Sequence, residues 1–340
     1  MKNRSKSGKT PTALPWILAA ALLGFLCGFF LDEIRDSYDQ AANYTHLKRF
    51  HYYPQGGHLI DPIIAVDEPE SKDPGLEILR NRVKDFIADS LKTGDATEVS
   101  FYLLDLDKLS WVGVNEDKKF VSASLGKVPL MFTFFTKAQS DPSIFKKRIF
   151  YSSPIQVPMH QLIPPKNQPV PGMTYTVEEL LRNMIVYSDN VSTVLLMIDR
   201  DVDTAMAEEL FSKLGLPRPE PGKGDYEISA HDYAKFFRML YRASYLNRDL
   251  SEKGLLLLSQ SDFNAGIVSG VPRSVVVAHK FGESEGPDGV QLHDCGIVYC
   301  PDHPYILCVM TKGKDLDDLE SVLKNISRIV YRHYDSQQPA

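Results

Sequence analysis

Apolar side chains recur along this chain with two periods, and the changes of period mark out its elements. From Gly75 to Leu91, the positions Leu76, Leu79, Val83, Phe86 and Ile87 follow helical spacing with charges between them, which predicts an amphipathic helix. Val99 to Leu106 reads as a strand, with Trp111 to Val114 as its hairpin partner. Ser124 to Ala138 is apolar almost throughout and carries lysine only at Lys127 and Lys137, the pattern of a helix inside a core. After a Pro-rich stretch from Pro154 to Pro171, helices are predicted over Val177 to Val186, Val191 to Ile198 and Asp203 to Leu214. A second Pro/Gly-rich stretch, Pro217 to Gly224, precedes a helix opened by Ser229 as N-cap, with Asp232 at its third position. Strands are then predicted over Ser274 to His279, Cys295 to Cys300 and Tyr305 to Thr311. A closing amphipathic helix runs from Leu316 to Tyr334 on Leu319, Val322, Leu323, Ile326 and Val330. Strands at both ends with helices between them predict an α/β (α+β) domain, in which a mainly antiparallel sheet is flanked by helices and joined by an all-helical lobe.

The N-terminus follows another pattern. Residues 1–11 carry Lys2, Arg4, Lys6 and Lys9 without an acid, and Thr12 to Leu31 then runs for twenty residues with no charge. That length matches one bilayer crossing, and the basic flank stays in the cytoplasm by the positive-inside rule. A cleaved signal peptide is the rival, but it wants small residues at its end, whereas Gly28-Phe29-Phe30-Leu31-Asp32 is bulky. The expected organisation is therefore a cytoplasmic basic tail (1–11), a single-pass transmembrane signal anchor (12–31), a juxtamembrane spacer (32–72) and an extracytoplasmic domain (73–335).

Composition narrows the function classes. A net charge of -6 over 340 residues leaves no broad basic field, so nucleic-acid binding is excluded. Of four cysteines, Cys27 lies in the apolar run, leaving Cys295, Cys300 and Cys308, which is no disulfide framework. A turn at Pro301-Asp302-His303-Pro304 allows one bridge, but free buried thiols are the expectation. Nine histidines without His-x-x-x-His spacing predict neither a zinc site nor any other cofactor.

Three Ser-x-x-Lys tetrads occur, at Ser124 to Lys127, Ser143 to Lys146 and Ser321 to Lys324. Two residues three apart on a helix share a face, so the lysine nitrogen reaches the hydroxyl. The second tetrad adjoins a basic cluster, and the third lies on a surface-type helix. Ser124 instead opens the apolar helix, where unpaired N–H groups and the positive helix end favour an oxyanion. Lys127 sits among Leu125, Val128 and Leu130, where desolvation lowers its pKa towards that of a usable base. Tyr187-Ser188-Asp189-Asn190 lies between two helical segments; its hydroxyl suits a proton relay, and its amide suits holding both Lys127 and a substrate carbonyl. His279-Lys280-Phe281-Gly282 ends a β-branched strand, with a cation suited to a carboxylate and a glycine that lets backbone approach closely.

The ordered set Ser124-x-x-Lys127, Ser188-Asp189-Asn190 and Lys280-Phe281-Gly282 resembles the Ser-x-x-Lys, Ser-Asp-Asn, Lys-Thr-Gly signature of class A serine β-lactamases and penicillin-binding proteins, over about residues 73–335. The resemblance implies the fold of that family and acyl transfer through a Ser124 ester, on β-lactams or on D-Ala-D-Ala-like peptidoglycan stem peptides. It makes Lys127 the base or its partner, Ser188 the proton relay and Asn190 a substrate contact. It makes Lys280 the carboxylate-side cation, and the N–H groups of Ser124 and Glu283, the residue after Gly282, the oxyanion hole. Two departures stand out. Phe281 occupies a position where the family has Thr or Ser, so a hydroxyl for the substrate carboxylate is missing. Arg218-Pro219-Glu220-Pro221 resembles the start of the loop that bears the deacylating Glu, but Gly224 stands at the Asn position. Glu220 is thus the candidate for water activation, set against an exposed Glu in a shortened loop. The alternatives are a D,D-carboxypeptidase of penicillin-binding type, suggested by that loop, and a wall-binding protein without turnover, suggested by Phe281.

Overall fold

A sheet covered on both faces needs apolar side chains at successive positions, and its central strands here have them. The computed structural model describes residues 59–62, 71–72, 74–155, 161–198, 204–219 and 226–336. In chain order the strands are β1 (Ser71–Lys72), β2 (Glu98–Asp105), β3 (Ser110–Val114), β4 (Lys119–Val121), β5 (Arg148–Phe150), β6 (Thr174–Thr176), β7 (Glu227–Ser229), β8 (Val277–Gly286), β9 (Gly289–Val298) and β10 (Tyr305–Gly313). The helices are α1 (Glu77–Thr93), α2 (Lys127–Ser140), α3 (Val177–Val186), α4 (Asn190–Met197), α5 (Thr204–Lys213), α6 (Ala230–Tyr241), α7 (Arg248–Ser259) and α8 (Leu316–Asp335). The main sheet has the order β1-β3-β2-β10-β9-β8. β1 pairs in parallel with β3, and the other pairings in this sheet are antiparallel. The basic tail, the expected anchor and most of the spacer lie outside the described residues; among those described, no helix is long and apolar enough to cross a membrane.

Alternation along the strands feeds two cores. Phe101 and Leu103 of β2 and Leu307 and Val309 of β10 join one core, closed by Leu79, Val83 and Ile87 of α1 and Leu319, Val322, Leu323 and Ile326 of α8. Tyr102 and Leu104 of β2, with Ile306, Cys308 and Met310 of β10, face the other core beside Met131, Phe132, Phe134 and Phe135 of α2 and Phe236 and Phe237 of α6. Each fully buried side chain of this kind contributes about 1.5–3 kcal/mol. Local signals match the packing: Gly94 ends α1 at φ 89, Thr176 and Glu179 form a capping box at α3, and Ser229 Oγ accepts from Asp232 N at 3.1 Å.

Three expectations are corrected. The strand expected over Ser274 to His279 begins at Val277 and runs to Gly286, so Lys280-Phe281-Gly282 lies inside β8 and not at its end. Its continuation, Glu283-Ser284-Glu285-Gly286, is polar and lacks a hydrophobic signal, yet Gly286 pairs with Gly289 to close a tight hairpin with β9. β9 likewise starts six residues earlier than expected, at Gly289 rather than Cys295. Cys295 therefore sits within that strand directly opposite Cys308, and the two form a disulfide, while among the described residues Cys300 is a free buried thiol. Third, α7 was not anticipated, because Leu255-Leu256-Leu257-Leu258 shows no period; Gly254 lets it pack close, since a Cβ there would lie 3.2 Å from Leu240 Cδ2. Within the expected spacer, residues 59–62 dock on the domain: the N–H groups of Leu59 and Ile60 donate to the Glu252 carboxylate, and Arg242 pairs with Asp61.

Candidate active site

Ser124 owes its position to a turn pinned on both sides. β4 pairs with β7, Ser122 N donates to Tyr226 O at 2.8 Å, and Leu125 N to Ser122 O at 2.9 Å. Tyr233 Oη donates to Leu125 O at 2.9 Å from α6. The chain enters the 3-10 turn Ala123–Gly126 with Ala123 at φ 45, a left-handed conformation that costs a residue bearing Cβ about 1–2 kcal/mol. That kink leaves the Ser124 side chain partly exposed, one turn ahead of α2.

Lys127, the first residue of α2, is 5% exposed. Its Nζ lies 2.9 Å from Ser124 Oγ, 2.7 Å from Asn190 Oδ1 and 3.2 Å from Ser188 Oγ, and it also donates to the Ser188 carbonyl. Burial lowers its pKa to about 7, against the opposing pull of the Asp189 and Glu283 carboxylates. A neutral amine has two N–H donors and one lone pair. The fixed acceptors, Ser188 O and Asn190 Oδ1, take the donors and leave the lone pair for the Ser124 hydroxyl proton.

Ser188-Asp189-Asn190 joins α3 to α4. The Asp189 carboxylate caps α4 by accepting from Val191 N at 3.3 Å and Ser192 N at 2.6 Å, which fixes Asn190 as its first residue. Ser188 is fully buried at φ 54, another left-handed residue held by its contacts. Its Oγ lies between Lys127 Nζ and Lys280 Nζ, the latter at 2.8 Å, and its carbonyl also accepts from Gln161 Nε2 at 3.0 Å.

The opposite wall is β8, the edge strand of the sheet. Gly282 lies so close to the nucleophile's turn that a Cβ would stand 3.0 Å from Leu125 Cγ and 3.1 Å from both Leu125 N and Ser122 O. Lys280 is 0% exposed; its ammonium nitrogen donates to Ser188 Oγ and, at 2.8 Å, to Phe281 O, and lies 4.2 Å from the Phe281 ring centroid. Burial, and then Lys127 beside it, pushes the Lys280 pKa well below the usual lysine range. The Phe281 ring stacks on Phe263 with centroids 4.3 Å apart. Glu283 is 8% exposed; its Oε1 accepts from Leu162 N at 3.2 Å, and its Oε2 is buried with no partner among the described residues. Burial raises the Glu283 pKa, although the N–H groups of Leu162 and Ile163 and the two lysines pull it down. Behind the strand, His279 Nδ1 meets Asp294 Oδ1 at 2.8 Å, and Asp294 Oδ2 accepts from Ile267 N at 2.8 Å.

Five of the residues singled out from sequence, Ser124, Lys127, Ser188, Asn190 and Lys280, thus form one hydrogen-bonded cluster, with Gly282 and Glu283 against it. Glu220 lies outside the described residues. The other tetrads are exposed, with Ser143 bound to Asp141 and Ser321 and Lys324 on the surface of α8. Sequence reasoning missed Gln161, the Glu283 carboxylate and the His279–Asp294 pair. Only His279, adjacent to the motif lysine, carried a readable signal.

A hydroxyl beside a buried amine at a helix start, faced by a close-approaching edge strand, defines a serine hydrolase of the β-lactamase-like kind. The chain belongs to the β-lactamase enzyme family, whose model matches residues 79–334. Its fold is similar to that of PBP-A, with TM-score 0.63 and 23% identity over 78% of this chain and 98% of that one. It is also similar to a β-lactamase from Sphaerobacter thermophilus (TM-score 0.64, 21% identity, 76% of this chain and 98% of that one). A class A β-lactamase from Mycobacterium abscessus gives TM-score 0.63 at 22% identity, covering 74% of this chain and 99% of that one. No curated protein sequence matches the chain.

Proposed function

We propose that this protein is a membrane-anchored, extracytoplasmic hydrolase that forms an ester between Ser124 Oγ and the acyl group of β-lactams or of D-Ala-D-Ala-like stem peptides. The observation that carries this reading is Lys127 Nζ at 2.9 Å from Ser124 Oγ with a pKa of about 7. Neutral Lys127 takes the hydroxyl proton as Oγ attacks the carbonyl, and the N–H groups of Ser124 and Glu283 receive the developing oxyanion. The C–N bond then breaks, and the proton passes through Ser188 Oγ to the leaving nitrogen. Asn190 orients Lys127 and contacts the substrate; Lys280 polarises Ser188. A mutant of PBP-A, similar to this chain in fold, is known as an acyl-enzyme complex with penicillin G. The location is supported by the uncharged run Thr12 to Leu31 and by the Cys295–Cys308 disulfide, a bond that persists in oxidising compartments.

Glu220 is the candidate for activating the deacylating water. With Gly224 in place of an Asn, the shortened loop favours slow deacylation, behaviour closer to a penicillin-binding D,D-carboxypeptidase than to a resistance enzyme. Incubation with penicillin G followed by intact mass and peptide mapping tests the proposal. One penicilloyl adduct on Ser124, absent from Ser124→Ala, is expected, and an unmodified protein under conditions that label a control would overturn it. Decay of the adduct over hours rather than seconds separates the penicillin-binding behaviour from rapid turnover.

A further inference from the structure

The ribbon of β5 and β6 lies outside the Ser124 cluster, and its outer face joins apolar tips to cations. Alternation turns Ile149 and Tyr175 onto the helical core, which leaves Arg148 and Phe150 on the opposite face, exposed to solvent. At the Phe150 end, Val170-Pro171-Gly172-Met173 makes a turn with Gly172 at φ 83, and Pro then Gly at the central positions suits type II geometry. Hydrogen bonds pin this turn: Gly172 N donates to Tyr151 O at 2.7 Å, Tyr151 N to Met173 O at 2.9 Å, and Val170 N to Tyr175 Oη at 2.8 Å. Phe150, Val170 and Met173 are thereby held at one end of the ribbon with 62%, 59% and 56% of their surface exposed. Three large apolar side chains presented together by a fixed turn mark a contact surface. Around them the charge is one-sided. Residues 142–177 include Lys146, Lys147, Arg148 and Lys166 and not one acid, in a chain of net charge -6. The flanking acids are engaged: Asp141 with Ser143, Glu178 with Lys253, and Glu179, within reach of the Arg148 charge, in the capping box with Thr176.

We propose that this face of the ribbon is a membrane-contact surface, which sets Phe150, Val170 and Met173 among the headgroups of an anionic bilayer while Lys146, Lys147 and Arg148 meet the lipid phosphates. An anionic wall polymer would match the cations and leave the apolar tips in water; a bilayer interface takes both. Each cation at an anionic surface strengthens binding about fivefold, so the three together supply about a hundredfold. The chain also enters the domain beside the ribbon. Leu59 and Ile60 donate to Glu252, and the next residue, Lys253, pairs with Glu178 and lies 4.3 Å from the ring centroid of Phe145, the neighbour of Lys146. Residues 32–58, between the proposed anchor and Leu59, span at most about 95 Å at full extension, which keeps the ribbon at a high effective concentration near the bilayer. Reach rests on the anchor proposed above; the contact itself does not. The anchor then limits the distance of the domain from the bilayer, and the ribbon sets its orientation.

The test uses the full chain carrying Phe150→Trp, reconstituted with acyl-brominated lipids in vesicles of phosphatidylglycerol and phosphatidylcholine or of phosphatidylcholine alone. Wild type supplies the background from Trp16 and Trp111. The emission added by the substitution is expected to be quenched at least about twofold in the anionic vesicles and to recover at about 0.5 M salt, where screening shortens the reach of the cations. It should also recover in neutral vesicles, and when Lys146→Glu, Lys147→Glu and Arg148→Glu are added. Added emission that escapes quenching in anionic vesicles would overturn the proposal, as would quenching that survives both salt and the charge reversals. Quenching that persists with Val170→Asp and Met173→Asp would remove the apolar tips from the contact and overturn it too. Binding of soluble polyphosphate by this face, without quenching in anionic vesicles, would reassign it to an anionic polymer. Urea unfolding checks each variant, and should a charge reversal fail to fold, the salt dependence of the Phe150→Trp protein carries the same decision. Flotation with neutral vesicles reads the anchor separately: a chain that stays behind has lost the anchor reading, while quenching in anionic vesicles still decides the ribbon.

Discussion

Replacing Lys127 with methionine probes the buried amine through folding rather than through activity. The folded lysine has a pKa of about 7 against 10.5 for an ordinary solvated lysine. Between those values the unfolded chain holds a proton that the folded chain has shed, so stability rises with pH, by about 1.4 kcal/mol per unit for one full proton. The contribution is fully regained above the unfolded value and is lost as pH falls towards 7, where it leaves a penalty of about 5 kcal/mol relative to an unshifted lysine. Methionine has similar length and no charge, so it removes the penalty. It also strips donors from Asn190 Oδ1 and the Ser188 carbonyl, at about 1–3 kcal/mol each. These opposing effects are of similar size at pH 7, which makes the slope, not the absolute difference, the discriminating quantity. Urea unfolding of both proteins at pH 7, 8 and 9 supplies it. Wild type is expected to gain on Lys127→Met by about 1 kcal/mol or more per pH unit. Lys280 tilts both curves in the same direction and largely drops out. A difference that stays flat from pH 7 to 9 would refute a neutral Lys127 in the folded site.

Other perturbations read separate parts of the structure. Gly282→Ala forces a Cβ to within 3.1 Å of Leu125 N and Ser122 O, so β8 must withdraw from the turn; a loss of about 1–3 kcal/mol in urea unfolding and slower adduct formation are expected. Asp294→Ala leaves His279 Nδ1 and Ile267 N without their partner and should lower the unfolding free energy by about 3 kcal/mol, read from urea curves. Cys308→Ala opens a bridge that spans a sequence separation of 13 and should cost about 2–3 kcal/mol, with reductant shifting the melt of wild type and leaving that of the variant unchanged.

Features that depend on local spacing were legible before the structure. Ser124 and Lys127 share a helix face at any i, i+3 spacing, and the stripe Leu319, Val322, Leu323, Ile326, Val330 had only one way to be buried. Features set by register were not. The length of β8 and β9 follows from a polar hairpin whose ladder carries no hydrophobic signature, and the pairing of Cys295 with Cys308 follows from that register. The Glu283 side chain was hidden for another reason: its partner, Leu162 N, is 121 residues away, in a Pro-rich stretch without periodicity. The motif order brought the reacting groups together on paper, but nothing local in sequence showed that the lysine expected to meet a carboxylate would be sealed behind Phe281.

The most direct test of the central claim is the pH dependence of the second-order rate at which penicillin G acylates Ser124, followed by intact mass from pH 5 to 9. If neutral Lys127 is the base, the rate rises about tenfold per pH unit up to about pH 7 and then levels off. A rate independent of pH across that midpoint, or the same profile in Lys127→Met, would contradict it.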